Sequence, residues 1–298
     1  MDNPDKRVIL ITGAAGFIGS RLSTYFASKG YDVRGLVRDE ERALAPIPEG
    51  KLFLGDLPKT IDRRAFEGVD VLIHCAYRTQ YSSKTSPESD NEESTKAVFR
   101  LSRNANVGTF VFFSSLSAHE NARSYYGRSK FALEKIFDPD RDLVIRPGLV
   151  LGGKAAGLFG RMIESLMKYP IVPLLDGGKQ MVQTIYIDDL CKGIHIALQK
   201  RFTGAFSLAD PNGVTMKELL QYVINRSGRK TKLLPVPSAL VLLPVRLIEL
   251  MNIPFPVTSE NILGLQHMQF VETQSDLDRL GLTLLTPSET LDKIFSAP

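Results

Sequence analysis

The sequence predicts an α/β protein built on a doubly wound parallel sheet, with a smaller C-terminal lobe. Three observations carry that expectation. An apolar run, Val8-Ile9-Leu10-Ile11, leads at once into Gly13-Ala14-Ala15-Gly16-Phe17-Ile18-Gly19. Short apolar segments then alternate with helix-length segments as far as Pro147-Gly148. The 298 residues, 43% of them hydrophobic, can bury a large core. Alternating strands and helices make a parallel sheet covered on both faces, and right-handed crossovers wind it in both directions.

The first strand reads as buried on both faces because its apolar run is unbroken. Gly13 allows a tight turn, Gly16 a close approach to the backbone, and Gly19 close packing of helix on strand. Phe17, Ile18, Leu22, Tyr25 and Phe26 are spaced for the buried face of a helix that stops at Gly30. Strands follow at Tyr31–Val37, at Lys51–Leu54 (ending in Gly55-Asp56-Leu57) and at Val69–Cys75, which leads into Ala76. A polar loop from Thr79 to about Asp90 precedes a helix from Asn91 to about Ala105. Then come a strand at Thr109–Ser114, a helix at Ser124–Phe137 and a strand at Leu143–Arg146.

The expected division is a dinucleotide-binding domain over 1–150, to which segments near 181–200 return, and a mainly substrate-binding lobe over 151–298. In the lobe, Leu158–Tyr169 reads as a helix, Ile171–Leu175 as a short apolar piece and Thr184–Ile187 as a strand. Asp188-Asp189 is expected to cap a helix reaching Gln199. Thr215 and Glu218 form a capping box. Pro235, Pro237, Pro244, Pro254 and Pro256 forbid one long helix over Leu234–Val257, leaving short apolar helices. The only later strand signal is at Leu282–Leu285.

Composition excludes several classes. Lys and Arg total 37 against 33 Asp and Glu, a net +4 with no basic run, so no nucleic-acid partner is expected. Cys75 and Cys191, both in apolar surroundings, read as buried free thiols of a reducing compartment. Residues 1–7 lack the apolar core of a signal peptide, and the apolar run at Ala239–Val245 is too short for a membrane span. A cytoplasmic protein is expected. His74, His119 and His195 have the wrong spacing for a zinc set with the cysteines, so no metal is expected.

The chemistry-bearing residues lie at three places. Free N–H groups and the dipole at a helix N-terminus hold anions, so the backbone from Gly13 through Ala15, Gly16, Phe17 and Ile18 is a candidate phosphate cradle. Tyr126 and Lys130, four apart on a predicted helix, share one face. An ammonium beside a phenol favours the phenolate and lowers the tyrosine pKa, tuning it for proton exchange with an alcohol or ketone. Ser114-Ser115 ends a strand on the sheet edge where ligands bind in such folds.

Gly13-x-x-Gly16-x-x-Gly19, Asp56 after Gly55, Ala76, Asn91, Ser115, Tyr126-x-x-x-Lys130 and Arg146-Pro147-Gly148 occur in one order. The chain resembles the extended short-chain dehydrogenase/reductases, in their NAD(P)-dependent epimerase/dehydratase branch, over about residues 7–200. The resemblance implies a Rossmann domain and hydride transfer between a nicotinamide and a secondary alcohol or ketone. It assigns Tyr126 as acid/base, Lys130 to the nicotinamide ribose and to the Tyr126 pKa, and Ser115 to the reacting oxygen. It also implies Asp56 and Leu57 at the adenine, Cys75 and Ala76 along the cofactor, and Pro147 and Gly148 near the nicotinamide. Asn91 either supports the active site or simply caps its helix. A homodimer is common among such relatives.

Finer features narrow the reading. The second strand ends at Val37 followed by Arg38, where NAD enzymes usually carry an acid; a guanidinium pairs with a 2′-phosphate, so NADP(H) is favoured over NAD(H). Leu116-Ser117 stands where dehydratase relatives carry Asp-Glu, so dehydration is not expected. Val182-Gln183 stands where nucleotide-sugar epimerases carry Arg-Asp, which weakens the epimerase alternative, although Arg161 or Lys179 could supply charge. The apolar residues from Leu240 to Phe255 suit an apolar carbonyl substrate or, more simply, a helix packed on the sheet edge. The C-terminal third also resembles the dehydrogenase-like accessory subunit of respiratory complex I, which supplies a rival of another class: an NADPH-binding protein without turnover.

Overall fold

The computed structural model describes residues 7–39, 47, 51–78, 87–152, 157–251 and 258–296. Most of the expected polar loop, residues 79–86, falls outside them, as do Pro254 and Pro256. The first half of the chain runs β1 (Val8–Thr12), α1 (Phe17–Ser28), β2 (Asp32–Val37), β3 (Leu52–Leu54), β4 (Val71–His74), α2 (Pro87–Asn104), β5 (Thr109–Phe113), α3 (Tyr125–Glu134) and β6 (Leu143–Pro147). The second half runs β7 (Leu149–Leu151), α4 (Gly157–Lys168), β8 (Ile171–Leu175), β9 (Met181–Val182), β10 (Thr184–Tyr186), α5 (Ile187–Gln199) and β11 (Gly204–Leu208). It ends with β12 (Val214–Thr215), α6 (Met216–Ser227), β13 (Lys232–Val236), α7 (Ser238–Leu250), α8 (Ser259–Gln266), α9 (Gln274–Leu280) and α10 (Pro287–Ser296).

Seven strands form one sheet in the order β11-β6-β5-β4-β1-β2-β3. β1 pairs in parallel with both β2 and β4, through Ile9 opposite Val33 on one side and Val71 on the other. The strand order therefore reverses at β1, the switch point beside which doubly wound sheets bind ligands. Ile9, Leu10 and Ile11 are fully buried, as an apolar run enclosed on both faces must be. The seventh strand, β11, carries only Ala205, Phe206 and Leu208 as apolar residues, too weak a pattern to read from sequence.

The chain divides into two compact units. The first comprises Met1–Ser114, Phe131–Ile145 and Cys191–Phe206; the second comprises Ser115–Lys130, Arg146–Leu190 and Ser207–Pro298. The core of the first is aromatic: Phe137 stacks on Phe112 at 4.6 Å and on Phe110 at 5.2 Å. A deeply buried carboxylate in this unit, Asp142, is paired with Arg103 and accepts the N–H groups of Phe110 and Asp138 at 3.2 and 3.0 Å. Such a charge is tolerable in a core because each oxygen has a partner. The second unit packs Leu151, Phe159, Ile163, Leu219, Val223 and Leu291 into its own core.

Several local expectations change. The capping box at Thr215 and Glu218 forms as read. Asp188 and Asp189 lie inside the first turn of α5 rather than before it, and Asp189 accepts the Leu285 N–H at 2.9 Å. Lys232–Val236 is a strand, and α7 runs through Pro244. Proline there frees the Leu240 carbonyl, and both residues lie on the exposed side, where water can satisfy it. Leu282–Leu285 forms no strand; it joins α9 to α10. Cys191 is buried, but Cys75 is only partly so; neither is joined in a disulfide.

Candidate active site

The turn after β1 is shaped by what glycine lacks. Gly13 has φ +68°, in the left-handed region, and a Cβ there would meet the Ala76 Cα at 2.8 Å. A Cβ on Gly19 would lie 2.2 Å from the Gly13 carbonyl oxygen, so α1 rests directly on the turn. The Gly13 N–H donates to the Leu36 carbonyl and the Gly16 N–H to the Gly13 carbonyl, each at 2.9 Å. Gly16 is the exposed N-cap of α1, with no side-chain cap and no acid in the first turn. An uncapped helix start leaves N–H donors facing outward, with Ala15, Phe17 and Ile18 half-buried around them. An uncapped helix N-terminus with no acid in its first turn, reached through a side-chain-free turn, is chemistry that fits the diphosphate of a dinucleotide.

A buried polar chain holds this turn against β4 and α2. The Thr12 Oγ1 lies 2.7 Å from His74 Nδ1, and His74 Nε2 lies 3.1 Å from Thr95 Oγ1, which donates to the Asn91 carbonyl at 2.9 Å. The Ala76 N–H donates to Thr12 Oγ1 at 3.3 Å, which keeps the half-buried Cys75-Ala76 step beside Gly13. Asn91 does not cap its helix: its Oδ1 accepts the Arg78 N–H at 2.8 Å and its Nδ2 donates to the Arg78 carbonyl at 3.0 Å. Asp56, half-buried beside Leu57, already has a cationic partner, since its Oδ1 accepts from Arg78 Nη2 at 2.7 Å. Arg38 is exposed one residue past β2, whereas Arg34 is turned away to the carbonyls of Ala65 and Glu67.

In the second unit Ser115, Tyr126 and Lys130 come together. Ser115 hydrogen-bonds the Tyr126 side chain, and its Oγ accepts the Ser117 N–H at 3.1 Å. Lys130, only 4% exposed, holds its Nζ 5.9 Å from the centroid of the Tyr126 ring. Burial pushes the Tyr126 hydroxyl above the usual tyrosine value, and the Ser115 bond acts the other way. The net direction is opposite to the lowering expected from the sequence, because desolvation outweighs the Ser115 hydrogen bond. The Leu116 N–H donates to the Pro147 carbonyl at 3.3 Å, and the Gly148 N–H to the Leu208 carbonyl at 3.0 Å, so Pro147-Gly148 braces the segment that carries Ser115.

The roles of Gly127, Glu260 and Arg78 escaped the sequence reading, and Gln183 was read only as a departure from an Arg-Asp pair. Gly127 lets α3 lie against the Ser115 segment: a Cβ there would be 2.4 Å from the Ser117 carbonyl oxygen. A glycine inside a predicted helix was the available signal. Glu260, from α8, accepts the Tyr125 N–H and so caps α3 beside Tyr126. Arg78 joins Asp56 to Asp90, with Nη1 3.5 Å from the Asp90 carboxylate. Gln183 accepts the Val271 N–H at 2.8 Å while donating to the Val271 and Asp210 carbonyls. These depend on contacts between segments far apart in the chain. Val182 is buried in the second core, and Arg161 and Lys179 are exposed. Among the described residues, no three His, Cys, Asp or Glu side chains gather as a metal site, and no helix is long and apolar enough to cross a membrane.

Residues 9–208 match the profile of the NAD dependent epimerase/dehydratase family. The chain belongs to that family. It is 28% identical over 241 residues to the ceramide reductase of Caulobacter vibrioides, covering 78% of this chain and 74% of that protein. It is 24% identical over 287 residues to mitochondrial NADH dehydrogenase [ubiquinone] 1 alpha subcomplex subunit 9 of Arabidopsis thaliana, covering 90% of this chain and 70% of the other. Among solved structures, the human epimerase family protein SDR39U1 with NADPH superposes with a TM-score of 0.73 at 19% identity, covering 98% of this chain and all of that one. At that identity the likeness speaks for the fold alone. A family member with this sheet and glycine turn has an NAD(P)-binding fold.

Proposed function

We propose that the protein is an NADP(H)-dependent reductase that acts on the ketone of an apolar substrate, or on the corresponding secondary alcohol in reverse. The Ser115–Tyr126 hydrogen bond beside buried Lys130 carries this reading. When bound, a reduced nicotinamide supplies the hydride. The Tyr126 hydroxyl gives its proton to the substrate oxygen, and Ser115 holds that oxygen in reach. Lys130 balances the phenolate left behind and binds the nicotinamide ribose. A phenol raised by burial stays protonated at neutral pH, the form a proton donor needs. The Gly13–Ile18 backbone takes the diphosphate, with Asp56, Leu57, Cys75 and Ala76 along the adenine half and Pro147 and Gly148 at the nicotinamide. Exposed Arg38 takes the 2′-phosphate, while Arg34 is engaged elsewhere.

The second unit supplies the substrate surface in this reading. Similarity to a ceramide reductase supports an apolar substrate. Burial of Val182 removes the position from which an arginine would grip a nucleotide diphosphate, which counts against a nucleotide-sugar epimerase.

Tyr126→Phe tests the assignment. Turnover of apolar ketones with NADPH should fall about a hundredfold to ten-thousandfold, while NADPH fluorescence titration gives an unchanged affinity. Full activity in that variant would remove Tyr126 from proton transfer. A second reading, an NADPH-holding protein without turnover, is supported by similarity to the NADH dehydrogenase subunit over 90% of this chain. Wild-type protein that binds NADPH but never oxidises it across a broad ketone panel would favour it.

A further inference from the structure

The proposed chemistry leaves one face of the second unit unused. On α7, Leu240, Leu243, Leu247 and Leu250 are 68%, 65%, 53% and 78% exposed, and Met251 follows at 69%. Steps of three and four residues align them in one outward stripe. The opposite side is also apolar, with Val245 only 2% exposed. A helix with large apolar side chains on its outward as well as its buried side is normally covered on both, and a contiguous exposed apolar face marks a place where something else binds.

We propose that α7 and the adjoining β8–β13 ribbon seat on an anionic lipid bilayer surface, with α7 lying in the interface rather than crossing it. Charge points to this occupant. Residues 229–251 carry four exposed cations, Arg229, Lys230, Lys232 and Arg246, against the single carboxylate of Glu249. That carboxylate is turned inward, where it accepts the Ser259 N–H at 2.8 Å. In the ribbon, Lys232 pairs with Ile171 and Leu234 with Pro173. Ile171 and Leu234 are 55% and 54% exposed, so large apolar side chains and a lysine share one outward face. Apolar groups enter the acyl boundary while cationic heads reach the phosphates above it. A second copy of this face would bring like charges together. Thirteen helical residues span about 20 Å, too short to cross a bilayer and long enough to lie in its surface. This surface is independent of the proposed reaction, because vesicle binding needs neither cofactor nor turnover.

The test floats the full chain with vesicles of phosphatidylcholine alone and of phosphatidylcholine with an equal part of phosphatidylglycerol. Flotation is expected with the anionic vesicles, weaker with the neutral ones and reduced by salt. Leu243→Gln with Leu247→Gln should lower partitioning about a hundredfold, and Lys230→Gln with Lys232→Gln roughly 30-fold. Thermal unfolding should barely move in either variant, because these side chains are exposed. No flotation of the wild-type chain with anionic vesicles overturns the proposal, as does flotation that survives the leucine substitutions. A dimer in sedimentation velocity that the leucine substitutions dissolve, without flotation, assigns the face to a second copy and overturns it as well.

Discussion

The glycine turn between β1 and α1 and the segment from Ser115 to Lys130 are held by different physics. The turn is a backbone device. Its geometry follows from absent side chains: Gly13 at φ +68° and Gly19 against the Gly13 carbonyl. The second segment is a side-chain device, in which the state of one hydroxyl follows from its desolvation and from Ser115. A backbone device fails by steric conflict, taking stability and binding together. A side-chain device can lose its chemistry while the fold stays intact.

That contrast can be broken at either end. The largest effect is expected from Tyr126→Phe, which should remove turnover with little change in Tm; a large fall in Tm would make Tyr126 a structural residue. Gly19→Ala comes next. Its Cβ has no room beside the Gly13 carbonyl, so unfolding in urea should register a loss of about 2–3 kcal/mol together with NADPH affinity. Undiminished stability and affinity would refute the steric account. Arg38→Ala is smaller: NADPH affinity should weaken about tenfold or somewhat more, the worth of one charge-assisted contact, with NADH unaffected. Equal loss for both cofactors would place Arg38 outside the 2′-phosphate site.

The smallest effect concerns pH and His195. Its ring meets Tyr25, Phe26 and Tyr31 at 5.8, 5.7 and 5.6 Å, and burial, with the charge of Lys29, holds its pKa below the usual 6.5. The folded state therefore resists a proton that the unfolded chain accepts. The His195 contribution is present above about pH 6.5 and is lost as pH falls through the lower folded value. Tm measured from about pH 7.5 down to about 5.5 should fall less in His195→Gln than in the wild type; parallel profiles would show that His195 does not set this slope.

Much of the first unit was legible in the chain because its signals are local. An unbroken apolar run, three glycines and an amphipathic helix specify β1, the turn and α1 without help from distant residues. Tyr126 and Lys130 were legible as a pair because helical spacing alone puts them on one face. The direction of the Tyr126 shift was not, since it depends on burial contributed by the whole surrounding unit. Asn91 was open between two roles until Arg78 came into reach, and Arg78 itself carries no motif. The proline-rich stretch misled because Pro244 breaks a helix only where the freed carbonyl would be buried.

The amino-acid order by itself determined the parallel sheet, the glycine turn after β1 and the placing of Tyr126 and Lys130 on one helix face, because each rests on short-range periodicity or on the backbone freedom of glycine. The tertiary structure alone decided that Asp56 is paired with Arg78, that desolvation raises Tyr126, and that the leucines of α7 face outward. Burial and partnership are properties of packing, and packing joins residues whose separation in the chain carries no signal.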